Sequence, residues 1–198
     1  MNSLVKALLI GALAATVGCI GFVGTNASLR EVGVPASDDG LVGVWEAVEC
    51  PEPCTGMKGT RHQITRDDQG EYFIEQLDLQ DSEKVPMGLV ELDGAVYIQL
   101  GSTDVMKEPS SKDAPEYFFP IRLERRGDEL AISHFKHNEL KQALADSGHQ
   151  LKNGFWMSVD CSPRELADFL GKHGNKIYSE GDMYRRVSKA IDASAMNH

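Results

Sequence analysis

Met87-Gly88-Leu89-Val90-Glu91-Leu92-Asp93-Gly94-Ala95-Val96-Tyr97-Ile98-Gln99-Leu100 is the stretch that decides the fold. Asp-Gly supplies the positive φ angles of a two-residue hairpin turn, so Met87–Leu92 and Ala95–Leu100 are predicted as antiparallel neighbours. Side chains alternate between the two faces of a strand. Val96, Ile98 and Leu100 therefore share one face, and Ala95, Tyr97 and Gln99 the other.

Working outward, the same grammar recurs. Upstream, Asp67-Asp68-Gln69-Gly70 is a turn joining Thr60–Arg66 to Glu71–Leu79, and Val42–Val48 alternates around Trp45 as the first strand. Downstream, residues 101–115 are rich in Ser, Lys, Asp and Pro and read as a long exposed loop. Phe119, Ile121 and Leu123 then alternate with Pro120, Arg122 and Glu124. Arg126-Gly127-Asp128 turns the chain into Glu129–Phe135, with Leu130 and Ile132 inward; a hairpin turn explains this tripeptide without an adhesion role.

The C-terminal third changes period. Asn138 can cap a short helix whose Leu140, Ala143 and Leu144 fall at i, i+3, i+4, with Gly148 to close it. Phe155, Met157 and Val159 return to strand alternation. Ser162-Pro163-Arg164-Glu165 combines a serine cap, a proline at the first helical position and a glutamate three after the cap. Leu166, Phe169 and Leu170 give that second helix one apolar stripe, and Met183–Val187 reads as the last strand. The expected fold is α+β and mostly β: an antiparallel sheet curled into a barrel or half-barrel, with two short C-terminal helices packed on an open face or mouth.

Residues 41–189, about 150 in number, are the common size of one domain with one core. Residues 28–40 read as a linker and 190–198 as a fraying tail. Without residues 1–27, which carry the single charge of Lys6, 19 basic and 30 acidic residues remain. That balance argues against nucleic acid or an anionic lipid surface as partner.

Residues 7–29 contain no charged side chain, and Cys19 lies inside the run. Lys6, an apolar stretch, small residues and a cysteine follow the plan of a bacterial export signal. Three readings stay open. Thr16-Val17-Gly18-Cys19 is a lipobox with the lipid on Cys19; or cleavage follows Thr25-Asn26-Ala27, a small-x-small site; or the run stays as an uncleaved anchor. All three place the domain outside the cytoplasmic membrane, on the periplasmic side of the cell envelope. In the first and third it is membrane-anchored.

In that oxidising compartment, Cys50, Cys54 and Cys161 are disulfide candidates. A Cys50–Cys54 bridge would pin the loop after the first strand. A bridge from either one to Cys161 would close a loop of roughly 110 residues and stabilise by ~4–5 kcal/mol. Cys50, Cys54 and His62 would suit a soft metal, but three ligands in one place are not evident, and neither a metal nor a cofactor is expected. His134-Phe135-Lys136-His137 reads as a solvated strand end, and His149 and His173 as residues near helix termini. Glu71 and Glu75 alternate along a strand toward water. No Gly-x-Ser-x-Gly elbow, phosphate loop or HExxH helix is present, so no enzyme is expected.

Gly43-x-Trp45 followed by an antiparallel meander resembles the opening of lipocalins and calycins. There the tryptophan closes the barrel floor beneath an arginine from a late strand. The resemblance gives that role to Arg185 or Arg186, with Trp45 and Arg185 as the expected pair through a cation–π contact. The chain is also similar to uncharacterised bacterial lipoproteins, through Leu41-Val42-Gly43-Val44-Trp45, the Val90–Ile98 hairpin and the Ser162–Leu166 helix start. That similarity implies a fold and an address, not an activity. The expected function is a non-catalytic, exported, membrane-tethered envelope protein that binds another envelope component. The alternatives are a lipocalin-like carrier of a small apolar ligand, or a cysteine-based metal or thiol-redox protein.

Overall fold

The computed structural model describes residues 23–49, 58–79, 82, 84–101, 118–153 and 157–188. It begins with β1 (Val23–Thr25), a 3-10 turn at Leu29–Glu31, β2 (Val34–Pro35) and a second 3-10 turn at Asp39–Leu41. A meander follows: β3 (Gly43–Glu49), β4 (Arg61–Arg66), β5 (Tyr72–Gln76), β6 (Val85–Leu92), β7 (Ala95–Gly101), β8 (Phe118–Arg126) and β9 (Glu129–Ser133). Then come α1 (His137–Asp146), β10 (Lys152–Asn153), β11 (Met157–Val159), α2 (Pro163–Ile177) and β12 (Asp182–Ser188).

The central hairpin forms as its sequence demands. Asp93 and Gly94 take φ of 50° and 76°, and Leu92 pairs with Ala95. Each strand from β3 to β9 pairs antiparallel with the next. β12 then pairs with both β9 and β3, joining the ends of the meander. The result is a closed eight-stranded antiparallel barrel, built of β3 to β9 and β12 and carrying two helices.

Alternation along the strands sends one set of side chains inward. Trp45, Ala47, Ile64, Tyr72, Ile74, Met87, Leu89, Ile98, Leu100, Ile121, Leu123, Leu130 and Tyr184 form one buried cluster with Leu41. Each large member stabilises by ~1.5–3 kcal/mol on leaving water. An eight-stranded barrel is just wide enough for side chains to fill it or for one small ligand. Here large side chains occupy it.

Both helices pack on the barrel, as expected. They pack against the outer wall of the barrel, where Val90 and Tyr97 join Leu140, Ala143, Leu144, Leu166, Phe169, Leu170 and Ile177 in a second buried cluster. With the barrel closed, the surface left for an amphipathic helix to bury is the outward apolar face of β6 and β7. α2 starts as its sequence implies: Ser162 Oγ accepts from the Glu165 N–H at 3.2 Å, and Glu165 Oε2 accepts from the Ser162 N–H at 2.7 Å. α1 starts one residue before the expected cap, with Lys136 at the N-cap and no side-chain bond there. Its buried Leu140, Ala143 and Leu144 hold it instead.

Residues 28–40 are not a linker. Leu29 is buried in the second cluster and Leu41 in the first. The Leu29 N–H donates to Gln99 Oε1 at 2.7 Å, and Gln99 Nε2 donates to Ser28 Oγ at 2.9 Å. The domain begins earlier still, because β1 pairs with β8 and β11. Residues 1–22, most of the 101–115 loop, Phe155, Trp156 and the 190–198 tail lie outside the described residues. Among the described residues, no helix is long and apolar enough to cross a membrane.

Candidate functional site

One end of the barrel is sealed by Trp45 and its partners. Trp45 is inward on β3 and its Nε1–H donates to the Leu41 carbonyl at 2.8 Å. In β12, Asp182 and Tyr184 are buried, and Arg186 continues their inward parity opposite Trp45. The Arg186 guanidinium carbon stands 4.4 Å from the Trp45 ring centroid. Arg186 Nη1 donates to the Val42 carbonyl at 2.7 Å, Nη2 donates to the Gly40 carbonyl, and Nε donates to Asp128 Oδ1 at 3.0 Å.

The arginine over the tryptophan is therefore Arg186, not Arg185. Arg185 pairs with Glu46 on the outward face, and its Nη2 lies 3.7 Å from Glu129 Oε1 in an exposed ion pair. Strand parity decides this, since consecutive residues cannot both face the ring. Around the same floor, Arg125 makes a two-pronged bond to Asp38, Nε to Oδ2 at 2.6 Å and Nη2 to Oδ1 at 3.0 Å. Those bonds hold the Arg125 guanidinium above its usual pKa. The Asp38 N–H donates to the Tyr72 hydroxyl at 2.9 Å. The chain from Asp38 to Val42 is thus clamped across the floor.

The interior also carries polar groups that sequence reading did not single out as a set. His62 on β4 lies between Trp45 on β3 and Gln76 on β5 in the strand register. Its ring meets Tyr184 edge-on, with centroids 5.7 Å apart. Among the described residues, both imidazole nitrogens and Gln76 Oε1 are buried without a hydrogen-bond partner. Burial drives the His62 pKa down to about 4, against a weaker upward pull from Asp78. His62 is therefore a neutral ring at neutral pH. The edge-to-face contact with Tyr184 helps an imidazole sit among apolar neighbours, while nothing among the described residues satisfies its nitrogens.

His134 is not a solvated strand end. Its Nε2 lies 2.9 Å from the buried Asp182 Oδ2, and its backbone N–H donates to Ser179 Oγ at 3.2 Å. The Ser179 N–H donates back to the His134 carbonyl at 2.7 Å, and Phe135 bridges to Tyr178. This histidine–carboxylate pair ties the strand before α1 to the start of β12. His137, three residues on, is exposed at the start of α1. His149 lines the crevice described next, and His173 packs its ring 5.0 Å from Phe169 inside α2. Glu71 forms an exposed ion pair with Arg30 at 3.2 Å.

Cys161 is a free thiol, so the bridge from Cys161 to Cys50 or Cys54 is not made. It sits just before α2, with Sγ 3.2 Å from Thr25 Oγ1. Cys50 and Cys54, and with them a bridge between the two, lie outside the described residues, as does Cys19. Cys161 lines a crevice between the helices and the outer strands, together with Thr25, Leu140, Leu144, Leu166 and Phe169. The crevice has a cavity volume of about 30 Å³, well below the ~300 Å³ of a small-ligand pocket. Among the described residues, no three His, Cys, Asp or Glu side chains come together to hold a metal ion. No family model, no curated protein and no solved structure matches this chain.

Proposed function

We propose that this protein is a non-catalytic component of a bacterial cell envelope, exported and held at a membrane by its N-terminal run, which works by binding another envelope component. The observation that carries the reading is the occupied barrel. Trp45, Tyr72, Met87 and Tyr184 fill the interior from four different strands, and a small-ligand pocket needs some 300 Å³ or more. A barrel packed this way is a rigid scaffold whose outer surface and connecting loops are what a partner meets. The acidic surface keeps such a domain soluble beside a membrane. The uncharged run at residues 7–29 supports the address.

Fractionation of native cells, followed by native mass spectrometry of the extracted protein, tests this reading. The protein is expected to sediment with membranes, to survive a high-salt wash, to carry no small molecule, and to cross-link to another envelope protein. A fatty-acid-sized ligand that co-purifies, or that raises the melting temperature when added, would replace this reading with the carrier.

A further inference from the structure

We infer that residues 23–27 stay with the mature chain, so that the apolar run ends directly against the folded domain and holds its β1 side on a lipid bilayer. The bilayer half of this statement rests on the membrane address proposed above; the retention of residues 23–27 does not.

The residues that make up the small-x-small cleavage site are all in use within the fold. Thr25 and Ala27 are 3% and 2% exposed. Thr25 Oγ1 accepts from the Ala27 N–H at 3.1 Å and meets Cys161 Sγ at 3.2 Å. Asn26 Oδ1 accepts from the Cys161 N–H at 3.0 Å, tying this segment to the residue before the α2 cap. β1 is also an interior strand of its sheet. It runs parallel to β11, with Gly24 opposite Ser158 and Thr25 opposite Val159, and antiparallel to β8, with Thr25 opposite Phe118. Cleavage after Ala27 would remove this strand, strip β11 and the start of β8 of a neighbour, and uncover Val159 and Cys161. Unpaired strand edges and bare apolar surface are both costly in an exported domain.

Retention sets the geometry of attachment. Three residues, Ile20, Gly21 and Phe22, separate Cys19 from β1. The four steps from Cys19 to Val23, at ~3.3–3.6 Å each, span at most about 14 Å. Whether the anchor is a lipid on Cys19 or the part of the run before Val23 held in the bilayer, β1 then stands within roughly that distance of the headgroups. The composition agrees, because Ile20 and Phe22 suit a membrane interface better than a hydrated tether.

The test uses the full chain in its native envelope. Intact-mass analysis after fractionation is expected to find a membrane-bound chain that starts at Met1 or at a lipid-bearing Cys19. A chain starting at Ser28 overturns the inference. A soluble chain starting at or before Val23 upholds retention while removing the membrane address and the bilayer placement with it. For a membrane-bound chain, proteinase K treatment of outward-facing membranes reads the distance. The native protein should resist release, whereas a variant with a 20-residue Gly/Ser insert between Phe22 and Val23 should shed its domain at least ten times faster. Equal release from both would overturn the placement on the bilayer.

Discussion

The Arg186 guanidinium lies 4.4 Å over the Trp45 ring and spends its remaining donors on the Gly40 and Val42 carbonyls and the Asp128 carboxylate. One side chain thus joins three separated parts of the chain at the barrel floor. Replacing it leaves two carbonyls without their donors and the indole without its cover. Arg186→Ala is expected to cost about 3 kcal/mol in urea denaturation. Arg186→Lys should recover little, because an ammonium cannot reproduce a planar fork. Arg185→Ala, which loses only an exposed pair with Glu129, should stay within about 0.5 kcal/mol of the native protein. Equal losses at the two arginines would contradict this floor.

His62 makes stability depend on pH in a defined window. Its pKa is about 4 in the folded protein, because burial penalises the charged ring, against ~6.5 in the unfolded chain. The unfolded state therefore binds the proton first as pH falls. The neutral ring's contribution is complete above pH ~6.5 and is lost progressively down to pH ~4, by an amount on the order of 3 kcal/mol. His62→Leu removes both the titration and the two unpaired nitrogens. It should leave stability at pH 7 unchanged or raised, and should flatten the fall between pH 7 and 4.5. Denaturation midpoints across that range check it; an unaltered slope in the variant would place the pH dependence elsewhere.

What the sequence disclosed follows from how local each signal is. The Asp93-Gly94 turn and the Ser162–Glu165 cap are complete within four residues, and both form as read. Closure of the barrel rests on β12 meeting β3, with Tyr184 opposite Ala47, and no local pattern records a pairing across that separation. The parity of β12 was equally hidden. Met183 and Val187 make the outward face look apolar, while the inward face holds Asp182, Tyr184 and Arg186. Residues 23–42 bury few side chains, spaced without period, and depend on distant partners such as Gln99 and Cys161. Among them, residues 28–40, with Pro35 and small residues, read as linker until those partners are in place. The His62 and Gln76 pairing shared this obscurity, since each looks like an ordinary polar residue on its own strand.

Cys161 is expected to be a slow thiol. Burial pushes its pKa up, the Thr25 hydroxyl opposes that in part, and Glu165 and Asp160 add to it. The thiolate is the reactive form. In the native protein, alkylation by iodoacetamide at pH 8 should run at least ten times slower at Cys161 than after denaturation, as read by mass spectrometry of the Cys161 peptide. Thr25→Val, which removes the hydroxyl but keeps the shape, should slow it further. A native rate equal to the denatured one would contradict this environment.

Gly181 and Gly94 separate two reasons for a glycine. A side chain at Gly94 would meet open space, and the constraint there is its φ of +76°. Asparagine tolerates that conformation, so Gly94→Asn should cost no more than about 1 kcal/mol. At Gly181 the constraint is contact: an added Cβ would lie 2.6 Å from the Ile132 carbonyl oxygen and 2.9 Å from its nitrogen. Those atoms belong to β9 where it pairs with Asp182 of β12, so the backbone cannot yield without opening the ladder that closes the barrel. Gly181→Ala and Gly181→Asn should therefore both lose about 1–3 kcal/mol in the same denaturation assay, whatever the backbone preference of the new residue. If Gly181→Asn were tolerated as well as Gly94→Asn, β9 and β12 would have to be farther apart than the structure has them.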